Sequence, residues 1–246
     1  MSDKRMSFSP TPMIPISNRI PSGRQPVVVY LIIGINIVLF IWEWKLDVTG
    51  ELSHIIHSWG VTPTKIFYVT TAAFTTLNPA AWIAWLLLQL SLVQGLFLHS
   101  SFSHLIGNSL FLLVFGKTLE NLLGHLKFLY FYLLCGVLTF GLQILVEPTL
   151  NLPLIGSNGA TVGVLGAYLY KFPKTKIDTI LPLLIIFIPL EIPASFYLYW
   201  WFIQQLFYGC GNLSIHSSIN PSNLSYWMHG IGLIIGIVLM RSLKYK

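Results

Sequence analysis

Charge is scarce in this sequence. Only 9% of its 246 residues are Asp, Glu, Lys or Arg, where soluble domains carry about 25%. Set against 54% hydrophobic residues, that scarcity excludes an ordinary soluble domain and indicates a polytopic membrane protein. Acidic residues are the rarer sign, 8 against 14 basic, for a formal net charge of +6. The basic residues do not run together with aromatics as a nucleic-acid site requires, so no nucleic-acid partner is expected. In a membrane protein a basic surplus marks cytoplasmic loops instead. Cysteine is nearly absent. Cys135 and Cys210 lie in or beside apolar stretches, which excludes a disulfide framework and makes Cys135 a small core residue. His54, His57, His125 and His216 have no partner at ligand spacing, so neither a metal nor another cofactor is expected. The first 26 residues lack an apolar core and hold Pro10, Pro12, Pro15, Pro21 and Pro26. They read as a disordered cytoplasmic tail and not as a cleaved leader, with 27–246 as the membrane domain.

What is present in quantity is apolar sequence in runs. A crossing helix needs about 20 mostly apolar residues. Candidates are 27–44, 101–116, 126–146, 157–171, a helix starting near 190 and running to about 208, and 226–242. A further run, 80–98, carries Trp82 and Trp85 and reads as an interfacial or re-entrant helix. Pro182, Pro189 and Pro193 make the stretch from 179 a surface-lying piece ahead of the helix near 190. The basic residues choose the count. Lys4, Arg5, Arg19 and Arg24 at one end, and Arg241, Lys244 and Lys246 at the other, put both termini in the cytoplasm and make the number of spans even. With six spans, Lys117, Lys127, Lys171, Lys174 and Lys176 also fall inside, and only Lys45 and Lys65 fall outside. A seven-span arrangement breaks that asymmetry. The fold class is therefore an all-α polytopic bundle of six transmembrane helices, with a long outer loop between spans 1 and 2.

That topology brings polar groups from three spans to one layer below the outer surface: His99 and His104 on span 2, the turn Gly156–Ser157–Asn158–Gly159 at the start of span 4, and His229 on span 6. Polar side chains inside a bilayer are costly and face a bundle interior or a wet cavity. His104 and Asn108 are one helical turn apart on one face. Such a pair either bonds neighbouring helices or aims two donors at a developing negative charge. Gly159, Gly163 and Gly166 on span 4, and Gly232 and Gly236 on span 6, form faces that let two backbones approach closely. That packing would bring His229 beside the Asn158 turn. Glu120, between Gly116 and Gly124, reads as structural, capping amides of the loop that leads to span 3.

The segments "GLFLHSSFSHLIGNSLFLLVFGKTLENLLGHLKFLYFYLLCG", "PLIGSNGATVGVLGAYLYKFP", "WFIQQLF" and "WMHGIGLIIGIV", in that order, resemble the rhomboid family of intramembrane serine proteases in its bacterial six-span form. The resemblance implies a Ser–His dyad in a water-filled cavity open to the outer side, acting on transmembrane helices of other membrane proteins. It implies His104 and Asn108 as the groups that help hold the oxyanion. It makes Gly156 and Gly159 the glycines of the G-x-S-G turn, and His229 the general base, with Gly232 three residues on.

The sequence departs from that pattern where it matters most. The nucleophile position holds Asn158, and an amide has no hydroxyl or thiol for a base to activate. Met228 stands where the family usually has alanine, and 80–98 is extra apolar length. The expectation is a rhomboid-type protein on the serine endopeptidase scaffold that is inactive or severely weakened. The alternative is an active protease using Ser157, one residue early, with His229 as base. On a helix its side chain is rotated by about 100° from that of its neighbour, so it would need re-aiming, and otherwise a serine there caps the helix. A transporter is a third class, but the chain shows none of the inverted repeats transporters carry.

Overall fold

A computed structural model describes residues 13–21, 23–76, 78–183, 186–211 and 221–243. His216, Lys4, Arg5, Lys244, Lys246 and residues 1–12 of the expected tail lie outside the described residues.

Helix α1 (Val27–Thr49) ends at Gly50, whose left-handed φ of 79° lets its N–H return to the last turn. Three helices follow, α2 (Leu52–Trp59), α3 (Pro63–Thr76) and α4 (Pro79–Gln94), the last extended by a 3-10 turn at Gly95–Phe97. Asn78 caps α4 by accepting the Ala80 N–H at 2.9 Å. Helix α5 (Phe102–Phe111) passes through a π segment (Leu112–Gly116) into α6 (Lys117–Leu123), so this rod reaches past the 101–116 expected for span 2. Helices α7 (His125–Val146), α8 (Asn158–Lys171), α9 (Ala194–Gly211) and α10 (Pro221–Ser242) complete the bundle. Among the described residues four helical stretches are long and apolar enough to cross a bilayer: Val27–Thr49, Pro79–Phe97, Phe102–Leu123 and His125–Val146. The protein is an integral membrane protein.

The all-α expectation is corrected by a three-stranded antiparallel sheet in the order β1-β2-β3. Strand β1 (Ile14–Asn18) comes from the stretch read as disordered tail. Strands β2 (Lys176–Leu183) and β3 (Ile186–Pro193) form a hairpin where a surface-lying piece was expected, and α9 starts at Ala194. For residues 14–18 the disordered reading is overturned, because Ile14 and Ile16 alternate with polar or turn-forming neighbours, a period-2 pattern too short to notice beside five prolines. Asn18 fixes the strand to the bundle: its Nδ2 donates to the Val114 carbonyl at 2.5 Å, and its Oδ1 accepts from Thr118 Oγ1 at 3.1 Å.

Helix α8 sits at the centre, with every residue from Asn158 to Leu169 buried. A helix apolar or small on all sides suits such a position. It meets α10 backbone to backbone: a methyl group added at Gly236 would lie 1.9 Å from the Gly163 carbonyl oxygen, and one at Gly232 would lie 2.8 Å from that of Gly159.

Glu120 does not cap the loop before α7 as expected. Its carboxylate accepts the Val28 and Val29 N–H groups at 2.9 and 2.8 Å, and His125 Nδ1 approaches the same oxygen as Val28 at 2.5 Å. It caps the start of α1, where Pro26 offers no side-chain acceptor. Glu120→Ala is expected to destabilise the protein by about 3 kcal/mol, because two N–H groups beside a buried site lose a charged partner, and Glu120→Gln by less. Thermal unfolding in detergent micelles measures both; equal, negligible shifts would mean that the carboxylate does not anchor α1.

Candidate active site

The turn that opens α8 is held from a distance. Val61 and Leu154 exchange N–H···O bonds at 2.9 and 2.8 Å, Thr64 N–H donates to the Leu150 carbonyl at 3.1 Å, and Gly156 N–H donates to the Gly95 carbonyl at 2.7 Å. Gly156 has φ of 108°, and its α-carbon lies under the His104 ring, where an added methyl group would stand 2.4 Å from Cε1. Glycine is required there both for the backbone angle and for the ring.

The chain then enters α8 at Asn158, and its side chain meets two donors. His104 Nε2 lies 2.5 Å from Asn158 Oδ1, and Asn108 Nδ2 donates to the same oxygen at 3.1 Å. With Nε2 carrying the proton, His104 Nδ1 accepts from Ser100 Oγ at 3.1 Å. Both donors come from one face of α5, whose first turn is capped by Ser101 accepting the His104 N–H at 3.2 Å.

These groups line a cavity of about 540 Å³. Helix α5 contributes His104 and Asn108, α8 contributes Asn158 and Thr161, α9 contributes Trp201 and Gln205, and α10 contributes His229. His229 packs on the Trp201 ring at a centroid distance of 5.4 Å, and its Nδ1 lies 3.0 Å from Gln205 Oε1. An N–H at Nδ1 donates to that amide oxygen. This is the orientation a third group gives a catalytic imidazole, leaving Nε2 as the basic nitrogen.

Ser157 stands elsewhere. It is buried and does not line the cavity, and its Oγ lies 3.4 Å from His99 Nε2. It makes no side-chain cap to α8, which corrects the capping role expected for it. His99 is fixed in turn: its backbone N–H donates to the Glu43 carboxylate at 3.1 and 3.3 Å, and its Nδ1 lies 3.2 Å from the Phe97 carbonyl. Glu43, Gln205, Trp201 and Ser100 escaped sequence reasoning. Each lies far along the chain from its partner or has a common surface role, so spacing gave no signal; Glu43, a carboxylate within an apolar run, was the one that could have been singled out.

Of the remaining glycines in the expected set, Gly166, Gly232 and Gly236 face the α8–α10 contact, Gly166 against the Leu233 carbonyl, whereas methyl groups added at Gly159 and Gly163 would meet Thr139 and Cys135 of α7. Met228, the departure next to His229, is buried in a cluster with Val61, Leu96, Leu150 and Leu154, against the segments that hold the turn.

Comparison with known proteins adds a family. The Rhomboid domain family model matches residues 84–246. A 79-residue stretch is 34% identical to the rhomboid protease YdcA of Bacillus subtilis, covering 32% of this chain and 39% of that protein. A 93-residue stretch is 32% identical to the mitochondrial Rhomboid protein 1 of Saccharomyces cerevisiae, covering 36% of this chain and 27% of that protein. The matches thus span well under half the length of either relative.

The packing of Gly156 under His104 yields a prediction. Gly156→Ala is expected to lower stability by about 3 kcal/mol, combining a positive φ with overpacking against the ring. Gly34→Ala on α1, with nothing within 4 Å of the added methyl, is the control and should be neutral or slightly stabilising. Thermal unfolding of the two in the same detergent compares them; similar melting points would show that His104 moves aside freely.

Proposed function

This chain belongs to the rhomboid family, and we propose that it is a rhomboid scaffold whose proteolytic step is disabled at Asn158, retaining a cavity for transmembrane helices of other membrane proteins. The observation that carries this reading is the position of the Asn158 amide oxygen, accepting from His104 and Asn108 at once. In the family's pattern those two side chains hold the oxyanion of the reacting carbonyl, and residue 158 supplies the nucleophile. Here one side chain removes both functions. It offers no O–H or S–H for His229 to deprotonate, and its own carbonyl oxygen takes the donors that a substrate oxygen would need. Loss of the nucleophile alone costs on the order of 10⁶ in kcat in a serine protease.

The rest of the machinery supports a scaffold otherwise suited to the reaction. His229 has its Nδ1 against Gln205 and shares the cavity with Asn158. The reading with Ser157 as nucleophile and His229 as base gains no support from the geometry, since Ser157 Oγ has His99 as its imidazole neighbour and lies outside the cavity. The proposed topology keeps six spans, both termini in the cytoplasm and the cavity open to the outer side, on the strength of the basic-residue asymmetry.

Two experiments test this. Wild-type protein should give background cleavage of a model transmembrane substrate and no fluorophosphonate adduct. Asn158→Ser should gain both, and Asn158→Ser with His229→Ala should fall back to background. Cleavage by the wild type, lost in Ser157→Ala, would overturn the disabled reading. For sidedness, a cysteine at Thr175 should be labelled only from the cytoplasm and one at His57 only from outside; the reverse pattern would refute the topology.

A further inference from the structure

The β2–β3 hairpin is sorted by polarity along its length. Its feet are charged. Asp178 pairs with Glu191 across the ladder, Lys176 Nζ lies 3.4 Å from Glu191 Oε2, Arg19 bridges both carboxylates, and Ser17 Oγ donates to Asp178 at 2.6 Å. Beyond that rung, residues 179–190 read "TILPLLIIFIPL", without a single charge. The far rungs pair Leu181 with Ile188, Pro182 with Phe187, and Leu183 with Ile186. Ile186 and Phe187 are 61% and 63% exposed. The feet, by contrast, are fastened to the bundle: Ile177 and Thr179 are buried, and Ala194 N–H donates to the Thr175 carbonyl at 2.7 Å.

We infer that the apolar end of this hairpin is a finger inserted into the headgroup–acyl boundary of the same bilayer that the helices span, in the cytoplasmic leaflet under the topology proposed above. The occupant follows from the setting: the chain is an integral membrane protein, and the charged foot is fastened to its helical bundle. On the far side of that foot the hairpin leads into α9, whose first turns expose Phe196, Tyr199 and Trp200, so exposed apolar surface stands on both sides of the charged rung. A tip rich in Ile, Leu and Phe beyond a charged foot is the polarity order that an interfacial element needs. Backbone chemistry limits the depth. Open sheet edges are not tolerated in hydrocarbon, so the finger stops at about 5–10 Å, the depth of interfacial insertion. At about 3.3 Å per residue that is the last two or three rungs, back to Leu181 and Ile188. Pro182 and Pro189 fall in or beside this zone and carry no N–H, which removes two donors from the region poorest in partners. The inference rests on the membrane setting and not on the state of Asn158.

Spin-label accessibility in proteoliposomes of mixed zwitterionic and anionic phospholipid tests it, with Cys210 replaced by serine. A label at Phe187→Cys should collide readily with oxygen and poorly with a water-soluble nickel chelate. A label at Lys174→Cys, at the charged end, should do the opposite, so the oxygen-to-nickel ratio should differ several-fold between them. Ile186→Cys repeats the measurement at the neighbouring exposed position, should Phe187→Cys fail to fold. Equal nickel access at 187 and 174 would place the tip in water and overturn the inference. A tip closed to both reagents would mean that protein covers it, a second copy included, and would overturn it equally.

Discussion

The backbone contact between α8 and α10 is the constraint from which the rest of the site follows. Gly163 and Gly236 approach so closely that neither helix tolerates a methyl group at the Gly236 contact without moving. In a bilayer, helix association draws on van der Waals contact and hydrogen bonds, because lipid tails are as apolar as the side chains they would replace. Small residues at helical spacing supply that contact by removing everything between the backbones. Once the two axes are fixed, Asn158 at the start of α8 and His229 on α10 must line one cavity, and α5 and α9 close it with His104, Asn108 and Gln205. The chemistry of the cavity is therefore set by a packing surface that carries no chemistry itself.

Reach explains why an asparagine at position 158 differs from a serine in more than reactivity. The asparagine oxygen stands one bond farther from the α-carbon than a serine hydroxyl. From this backbone position it arrives at His104 Nε2 and Asn108 Nδ2, where a shorter side chain would leave both donors facing the cavity. A buried amide that finds two donors is well satisfied, and a buried donor pair without an acceptor is not. The asparagine oxygen is thus paired twice at this position, by a side chain that carries no O–H or S–H. A serine there would give up these bonds.

Much of this was legible in the sequence, and the boundary of legibility is physical. Helices α1 and α7 are long apolar runs, and α8 and α10 carry glycines at a helical period; both signals are local. His104 and Asn108 share a face because four residues make about one turn. Illegible were the contacts whose partners are distant in the chain: Glu120 with Val28 and Val29, His99 with Glu43, His229 with Gln205. Nothing in the neighbourhood of Glu120 says that its amides belong to α1. The sheet was missed for a related reason. Strand β1 is short and has meaning only beside β2, and prolines in β2 and β3 argue against strands unless an edge or a hairpin end tolerates them.

Those distant contacts also show how the segment between α1 and α5 takes part in the site. The turn before Asn158 has no helix or sheet of its own to hold it, yet Leu154, Gly156 and Ser157 are buried, where each backbone group must find a partner. Gly95 supplies one for Gly156, and Val61 supplies a pair for Leu154, while Glu43 holds the backbone of His99 beside Ser157. All of these partners lie before α5, in α1 or the helices α2 to α4 and their joints. Gly156, hydrogen-bonded to Gly95, lies so near the His104 ring that an added methyl group would stand 2.4 Å from Cε1, so a displacement of that segment would reach the ring through it. The long region between the first two apolar runs is thus the wall against which the turn is braced, and its packing decides where the residue at the tip of that turn can point.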